Sequence, residues 1–270
     1  MARKIQPCVL TIAGSDSGGN AGVQADLRAF HCYGLHGCTV FAALTAQNPR
    51  GVRSVLDVPA AFIADQLDAV FEMYNVRALK MGMLATPEAI EVVAERLRAV
   101  PRVKKVVDPV MVATSGAKLI SDEAVAVLRE RLLPLATLIT PNLPEAAALL
   151  GHPVGPGAGM RAAARELAQR FGCAVLVKGG HAVVDGEGGI AEDVLFDGRR
   201  VRVFGKPVVP HPVSTHGTGC SLAAALAAEL ARGASLARAV EGAKDFVFDA
   251  IKTSYRVGEN CGVLGMPRER

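Results

Sequence analysis

The sequence Val9-Leu10-Thr11-Ile12-Ala13-Gly14-Ser15-Asp16-Ser17-Gly18-Gly19-Asn20-Ala21-Gly22 decides the fold class, because it joins an apolar run to a helix through a glycine-rich loop. Its first four residues predict a buried strand, and the stretch Val23–Tyr33 predicts a helix. A continuous apolar strand followed by a helix is typical of a parallel sheet that is covered on both faces. The segment therefore predicts the first strand-loop-helix unit of an α/β fold.

The same unit recurs along the chain. Further strands are predicted at Thr39–Ala43, Val52–Val58, Ala78–Met81, Lys105–Val107, Leu138–Thr140 and Val175–Lys178. Helices are predicted at Pro59–Tyr74, Pro87–Val100, Asp122–Leu133, Leu143–Leu150, Met160–Arg170, Ser221–Arg232 and Leu236–Tyr255. This alternation predicts a mostly parallel sheet with helices on both faces. We expect one α/β domain over residues 1–270, with small lid segments.

Two segments interrupt the alternation. Val194–Phe196 and Val201–Phe204, with Asp197-Gly198 in the segment between them, predict an antiparallel hairpin with a type I′ turn. Gly151–Gly159 is rich in glycine and proline and resembles a linker. It lies inside the alternation, so it does not divide the chain into two domains.

Composition excludes several classes of function. The 30 basic and 26 acidic residues are interspersed and give a formal net charge of +4, so we expect no nucleic-acid partner. The six cysteines contain no Cys-x-x-Cys pair, which favours neither a disulfide framework nor a zinc site. No apolar run is long enough to cross a bilayer, so we expect a cytoplasmic protein without a membrane partner.

Polar loops follow most of the predicted strands, at the sheet edge where ligands bind in α/β folds. For single residues a structural role is an equal alternative: Asp26 could cap its helix, and Asn142 with Glu145 could form a capping box. Coincident polar loops at one edge nevertheless favour a shared pocket. The loops are Gly14–Gly22, Leu44–Asn48, Gly82-Met83, Asp108–Met111, Pro141–Glu145 and Lys178–His181.

The pentapeptide His216-Gly217-Thr218-Gly219-Cys220 precedes an Ala/Leu-rich run and predicts a tight loop that opens a helix. Unpaired amide groups and the positive end of the helix dipole would make this loop an anion site. A cysteine at a helix N-terminus has a lowered pKa, so we expect Cys220 to be available for proton transfer. The structural alternative is a glycine turn beside a buried cysteine.

Three other interpretations of these motifs are weaker. The loop Gly14–Gly22 lacks the Gly-Lys-Ser/Thr ending of a Walker A motif. The segment that starts at Gly217 lacks the third glycine and the following strand of a dinucleotide-binding fingerprint. A nucleophile pair of Cys220 with His216 or His181 stays open, but no recognisable context supports it.

Taken together and in order, the motifs resemble those of hydroxymethylpyrimidine/phosphomethylpyrimidine kinases, which are ribokinase-like enzymes of thiamine biosynthesis. Asn20 departs from the glycine that is usual there, Ser221 replaces a common threonine, and the tail from Gly258 to Arg270 matches no part of the family. The resemblance implies a ribokinase-like three-layer sandwich. It rests on Ala13–Gly19, Ala21–Leu27, Ala43–Asn48, Lys80–Leu84, Val107–Val112, Thr140–Ala146, Val177–His181 and His216–Cys220.

The resemblance implies ATP-dependent phosphorylation of 4-amino-5-hydroxymethyl-2-methylpyrimidine and then of its monophosphate. Asp26, Gln47 and the Gly14 backbone are suited to the polar groups of an aminopyrimidine. The apolar walls of that pocket would come from Ala21, Met83 and Val110. We expect a homodimer that uses only small-molecule substrates.

Phosphoryl transfer needs charge neutralisation more than covalent chemistry. By the same resemblance, Lys178, Thr218 and Gly219 would contact the ATP phosphates, and Glu145 with Asp108 would hold hydrated Mg²⁺. The amide groups of Gly217–Cys220 would stabilise the transferring group.

Cys220 stands where the wider ribokinase-like group has an aspartate base, so its thiolate would accept the proton of the substrate hydroxyl. The monophosphate is already an anion and needs no base.

Two alternatives to a pyrimidine kinase remain open. Some pyridoxal kinases share the Gly-Thr-Gly-Cys loop but carry a second pocket cysteine where this chain has Ala113, which favours the pyrimidine substrate. A non-catalytic vitamin-binding protein on the same fold is disfavoured by the retained Lys178, Glu145 and Gly217–Cys220. Likeness of fold alone would not separate kinase from binder.

Overall fold

The computed structural model describes residues 5–111, 120–180 and 189–267. These residues form a nine-stranded sheet in the order β3-β2-β1-β4-β5-β6-β7-β8-β9, and a separate pair, β10-β11. The strands are β1 Cys8–Asp16, β2 His36–Asn48, β3 Gly51–Asp57, β4 Val76–Met81, β5 Lys104–Val107, β6 Leu138–Ile139, β7 Ala174–Lys178, β8 Ile190–Phe196, β9 Val201–Pro207, β10 Tyr255–Gly258 and β11 Cys261–Val263. The helices are α1 Gly22–Cys32, α2 Ala60–Met73, α3 Pro87–Arg98, α4 Asp122–Val127, α5 Leu143–Leu150, α6 Ala158–Phe171, α7 Thr218–Ala231 and α8 Leu236–Lys252.

The core lies in two layers, one on each face of the sheet. Successive residues of a strand point to opposite faces, and on β1 Leu10 belongs to the cluster that contains α2, α3, α5 and α6, whereas Val9 belongs to the cluster of α1, α7 and α8. The predicted α/β class with helices on both faces is confirmed. Every helix in the described ranges is too short or too polar to cross a lipid bilayer.

The burial of helix α7 explains its unusual, Ala/Leu-rich composition. Ten of its 14 residues are buried, and the helix contacts α1, α8 and strands β1, β4 and β5. A helix enclosed on all sides has no need of a polar face. The Ala/Leu-rich sequence after Cys220 therefore packs as an inner helix whose N-terminus is directed to the sheet edge.

The sheet has its switch point at β1. This strand pairs in parallel with β2 on one side and with β4 on the other, although β2 and β3 lie between β1 and β4 in the chain. In open α/β sheets, ligands bind outside the carboxyl ends of the strands at such a point. Parallel pairing continues through β5, β6 and β7, so the loops after these strands share the edge.

Several local predictions are wrong. The predicted loop Leu44–Asn48 is the second part of strand β2, where it pairs with β3, and the predicted loop Gly14–Gly22 begins only after β1 ends at Asp16. The predicted helix Asp122–Leu133 ends its α-helical part at Val127 and continues as a π-helical turn and a 3₁₀ turn around Pro134, which cannot donate the next helical hydrogen bond. The last helix ends at Lys252, so Tyr255 begins a strand instead. In the hairpin after β8, only Gly198 has a positive φ, whereas a type I′ turn needs two such residues.

Candidate active site

The first glycine-rich loop is organised by Asp16. Its Oδ1 accepts the amide of Gly18 at 2.8 Å, and its Oδ2 accepts those of Asn20 at 2.9 Å and Ala21 at 2.8 Å. Asp16 was not among the predicted site residues, although an aspartate shortly before consecutive glycines is a recognised turn signal. Gly22 has a φ of 56°, and a β-carbon there would overlap the Gly14 carbonyl oxygen. This glycine therefore lets the loop fold back against β1.

The second loop opens α7 as predicted. Gly217 is the N-cap with a left-handed φ of 87°, and a β-carbon there would overlap the carbonyl oxygen of Asn20. The two loops thus touch at this glycine. The Thr218 amide donates to the Thr215 carbonyl at 3.4 Å, and the Ser221 amide donates to the Gly217 carbonyl at 2.9 Å. The amides of Gly219 and Cys220 therefore lie in the first helical turn before that bond, and amides at a helix N-terminus are suited to an anion.

Lys178, at the end of β7, lies between two carboxylates. Its Nζ donates to Asp108 Oδ1 at 2.6 Å and lies 3.9 Å from Glu145 Oε2. Thr140 donates its hydroxyl to the same Asp108 oxygen at 3.0 Å. Glu145 also closes the predicted capping box with Asn142, in which both hydrogen bonds measure 2.8 Å. The structural interpretation of Asn142 and Glu145 is therefore confirmed, and it coexists with a place in this charged cluster.

Burial and the neighbouring charges together shift the pKa values of Glu145 and Lys178. Burial raises the pKa of Glu145 to about 7, with the Asp108 carboxylate adding to the shift and Lys178 opposing it. Burial alone would lower the pKa of Lys178, but the carboxylates of Asp108 and Glu145 outweigh it, so the pKa of this ammonium is raised. Lys178 stays a cation that is available to phosphate groups.

Gly219 brings the helix end and the charged cluster together. A β-carbon on this residue would lie 3.7 Å from Asp108 Oδ2 and 3.7 Å from Lys178 Nζ. The structure therefore places the predicted anion loop against the predicted phosphate cation and one of the two predicted metal ligands. The packing that achieves this, α7 across β4 and β5, could not be inferred from spacing along the chain.

The predicted low pKa of Cys220 is wrong. Burial raises the pKa of its thiol, and the carboxylates of Asp26 and Asp108 add to that shift, against the Lys80 ammonium and the Gly22 amide. The effect of the helix N-terminus is thus outweighed by desolvation. At neutral pH the thiol is mainly protonated.

Asp26 is not a helix cap. It lies inside α1, whose N-cap is Ala21, and it is fully buried. Its Oδ2 accepts the Thr11 hydroxyl at 2.6 Å and the Lys80 ammonium at 2.8 Å. Burial raises its pKa, against the attraction of Lys80. Oδ1 is buried and has no hydrogen-bond partner among the described residues.

The remaining predicted pocket residues divide into two groups. A β-carbon on Gly14 would lie 2.9 Å from Met83 Cε, so these two residues are in contact at the ends of β1 and β4. Gln47 lies further out, where its backbone exchanges hydrogen bonds with the Ser17 hydroxyl at 2.7 and 2.8 Å. Within the described ranges, no hydrogen bond or ion pair joins Gln47 to the Lys178 cluster.

Gln47 lines a cleft of about 210 Å³ between the first loop and the β2-β3 hairpin. The cleft is lined by Ser17, Ala46, Gln47, Asn48 and Arg53. Ala21, in the first loop, and Val110, two positions after Asp108, are half-buried. The Val110 amide donates to the Asp108 carbonyl at 2.8 Å. Ala113 and His181 lie outside the described residues.

Comparison with known proteins identifies the same kinase family as the sequence motifs, and the similarity covers most of the chain. A family model described as phosphomethylpyrimidine kinase matches residues 16–265. The expectation that the tail from Gly258 matches no part of the family is therefore wrong as far as Gly265. A hydroxymethylpyrimidine/phosphomethylpyrimidine kinase of Rhizobium meliloti is 47% identical over 257 residues, covering 94% of each chain. A thiamine biosynthesis bifunctional protein of Geobacter sulfurreducens is 48% identical over 254 residues, covering 94% of this chain and 51% of its own length. The chain thus spans about half of that relative.

A solved structure shares the fold. The ADP complex of Bacillus subtilis pyridoxal kinase superposes with a TM-score of 0.87 at 35% identity, covering 98% of both chains. The likeness therefore extends over nearly the whole chain.

Proposed function

Because the chain belongs to the phosphomethylpyrimidine kinase family, we propose that it transfers the γ-phosphoryl group of ATP to 4-amino-5-hydroxymethyl-2-methylpyrimidine and then to the resulting monophosphate, in thiamine biosynthesis. The observation that carries the proposal is the position of Gly219, on which a β-carbon would lie 3.7 Å from Lys178 Nζ and 3.7 Å from Asp108 Oδ2. A cation, a carboxylate and helix-end amides at one point suit the transfer of an anionic group.

The Lys178 ammonium and the amides at the start of α7 would each contact the phosphate groups of ATP. Lys178 would contact the nucleotide phosphates, since its raised pKa keeps it a cation beside them. Thr218 and Gly219 would also contact those phosphates, Gly219 through its amide, and the amides of Gly219 and Cys220 would face the transferring oxygens. Such donors are already in place before the reaction, so they need no reorganisation in the transition state.

The carboxylates of Asp108 and Glu145 fit Mg²⁺. This ion is usually held by one or two carboxylates together with phosphate oxygens and water. In the described part of the chain no group of three or more His, Cys, Asp or Glu side chains is placed to hold a metal. Asp108 and Glu145 would hold it with the nucleotide, and the ion would supply charge neutralisation there.

The acceptor pocket would lie at the ends of β1, β2 and β4. Oδ1 of Asp26, which is buried and has no hydrogen-bond partner within the described ranges, is suited to receive an exocyclic N–H of the pyrimidine, because a buried polar atom needs a partner. Gln47 and the Gly14 backbone would serve the other ring groups. Met83, Ala21 and Val110 would supply the apolar contacts.

Cys220 would act as the base only in the first step. Since the pKa of its thiol is raised, the thiolate that could accept the hydroxyl proton is a minor species at neutral pH. The alcohol step should therefore accelerate as the pH rises. The monophosphate is already ionised, so its phosphorylation should not depend on the thiolate.

Two further parts of the proposal concern the oligomeric state and the cellular location. We infer a homodimer. The exposed apolar side chains of Leu44 and Leu56, which pair on β2 and β3 at the sheet edge, and of Phe62 on α2 support it. We also infer a cytoplasmic location, in keeping with six free cysteines.

The test is ADP release measured in parallel with the pyrimidine alcohol, its monophosphate, pyridoxal and ribose. We expect release with the first two that far exceeds the release with ribose, and a loss of both in Lys178→Met. Pyridoxal is the informative competitor, because a pyridoxal kinase shares the fold. Higher kcat/KM for pyridoxal than for either pyrimidine would contradict the proposed substrate, and no acceptor-dependent release would contradict a kinase.

A further inference from the structure

The segment after α8 makes contacts that its sequence did not suggest. Ser254, just before β10, accepts backbone amides from Val213 at 3.1 Å and from Ser214 at 3.4 Å through its Oγ. These two residues lie a few positions before Gly217, in the stretch that connects β9 to α7. The hydroxyl of Ser254 therefore fixes the path by which the chain approaches the anion loop.

Two more contacts extend this link. A β-carbon on Gly262, in β11, would overlap the Val213 carbonyl oxygen, so β11 lies directly against the connecting stretch. Ser214 in turn accepts the His216 amide through its Oγ at 3.2 Å. A continuous set of contacts thus runs from Ser254 to the residue before Gly217.

The same segment is joined to the first glycine-rich loop. Arg28, on α1, donates from one guanidinium nitrogen to the Gly19 carbonyl at 3.3 Å and from another to the Leu264 carbonyl at 3.1 Å. Since the first loop also touches Gly217 through the Asn20 carbonyl, both loops of the site are held from one side. We call residues 253–264 the C-terminal clamp.

We propose that the C-terminal clamp sets the position of the two loops relative to each other, and that Ser254 and Arg28 are positioning residues for phosphoryl transfer. This inference rests on the proposed kinase function. Residues 208–217 contain no helix or strand, so their position depends on such tertiary hydrogen bonds. Transfer is sensitive to displacements of about 1 Å, so a loosened loop should lower kcat without changing the acceptor pocket.

The kinetic test compares three serine variants. Ser254→Ala should lower kcat for the pyrimidine alcohol about tenfold, the effect of one lost hydrogen-bond partner that orients a reacting group. The KM for the alcohol should stay within about twofold, because β1, β2 and β4 are untouched. Ser254→Thr keeps the hydroxyl and should recover most of the kcat. Ser235→Ala is the matched control: Ser235 is exposed and makes no capping hydrogen bond at the start of α8, so we expect wild-type kcat.

Amide hydrogen exchange provides a readout that needs no activity. In Ser254→Ala, the amides of Val213 and Ser214 lose their acceptor. Hydrogen exchange should accelerate not only at these two amides but also in the peptide that covers residues 215–220. Arg28→Lys should accelerate it too, since a single ammonium cannot join both carbonyls. The kcat losses of the two variants should be less than multiplicative in the double variant, because both act through the clamp.

Unchanged exchange at residues 215–220 in both variants would overturn the proposal, and so would wild-type kcat in Ser254→Ala. If the wild-type protein releases no ADP with any acceptor, the proposed function fails, while the exchange measurement still decides the clamp. A loss of kcat in Ser254→Ala that is matched by an equal rise in the KM for the alcohol would also contradict it, because the defect would then lie in the acceptor pocket.

Discussion

Replacing Gly219 by alanine should make the protein more stable and nearly inactive. Gly219 lies in the first turn of α7 and has no positive φ, so alanine is compatible with its backbone. The added methyl group would lie 3.7 Å from Asp108 Oδ2 and Lys178 Nζ, which is ordinary van der Waals contact. Alanine in a helix is favoured over glycine by up to about 1 kcal/mol. We therefore expect Tm to rise by about 1–4 °C.

The same methyl group occupies the place where the account puts the transferring phosphoryl group. Phosphate oxygens that bind both the Gly219 amide and Lys178 must approach within hydrogen-bond distance of each, and the methyl group prevents this. A displacement of about 1 Å costs about a hundredfold in rate. We expect kcat with the pyrimidine alcohol to fall at least about a hundredfold, measured by coupled ADP release beside thermal unfolding of the same sample.

Gly159→Ala is the matched control. Gly159 occupies the equivalent first-turn position of α6, again after a glycine N-cap with positive φ, and the nearest atom to its β-carbon direction is 4.0 Å away. This variant should gain similar stability and keep wild-type kcat. Near wild-type activity in Gly219→Ala would refute the placement of the phosphoryl group between α7 and Lys178.

Four other substitutions test separate parts of the site. Lys178→Met should raise the KM for ATP and lower kcat together in steady-state assays, because the cation acts in both the ground and the transition state; a change in only one constant would argue against that role. Glu145→Gln should raise the Mg²⁺ concentration for half-maximal rate while keeping the capping box, in which glutamine is also accepted; an unchanged Mg²⁺ titration would leave only the capping role. Asp26→Ala should lower the free energy of unfolding in urea by roughly 3–5 kcal/mol, because it leaves the buried Lys80 ammonium unpaired; a loss below about 1 kcal/mol would show that the pair is solvated. Since the pKa of the Cys220 thiol is raised, the thiolate fraction and the alcohol kcat should rise about tenfold per pH unit below that pKa, and Cys220→Ala should abolish the slope and lower kcat about a hundred- to ten-thousandfold; a flat wild-type profile would exclude the thiolate as the base.

Much of the fold was predictable because periodicity reports burial. The run Val9–Ile12 is buried at every position, since both faces of β1 are covered, and Thr11 is its single polar residue. Helix α5 was predicted with its observed bounds. Ends of elements were less predictable, because they depend on tertiary hydrogen bonds. Nothing near Tyr255 in the sequence shows that it pairs with Val263.

The site was predictable in its parts but not in its electrostatics. Lys178, Asp108 and Gly219 were each identified, and the order of the parallel strands brings their loops to one edge. The pKa of Cys220 could not be predicted, because it depends on how deeply the packing of α7 buries the thiol and on the carboxylates that face it. The three amide partners of Asp16 could not be predicted, because the turn signal of an aspartate near glycines does not specify which backbone amides the carboxylate accepts.

The most direct test of the account follows the γ-phosphoryl group itself. The protein is incubated with ATP labelled at the γ-phosphate and with the pyrimidine alcohol, and the pyrimidine products are resolved by mass over time. The account predicts one label in a pyrimidine monophosphate that forms first, then two labels in a diphosphate, and neither product with Lys178→Met. Label that appears only in inorganic phosphate, or pyrimidine products that form equally well with Lys178→Met, would contradict it.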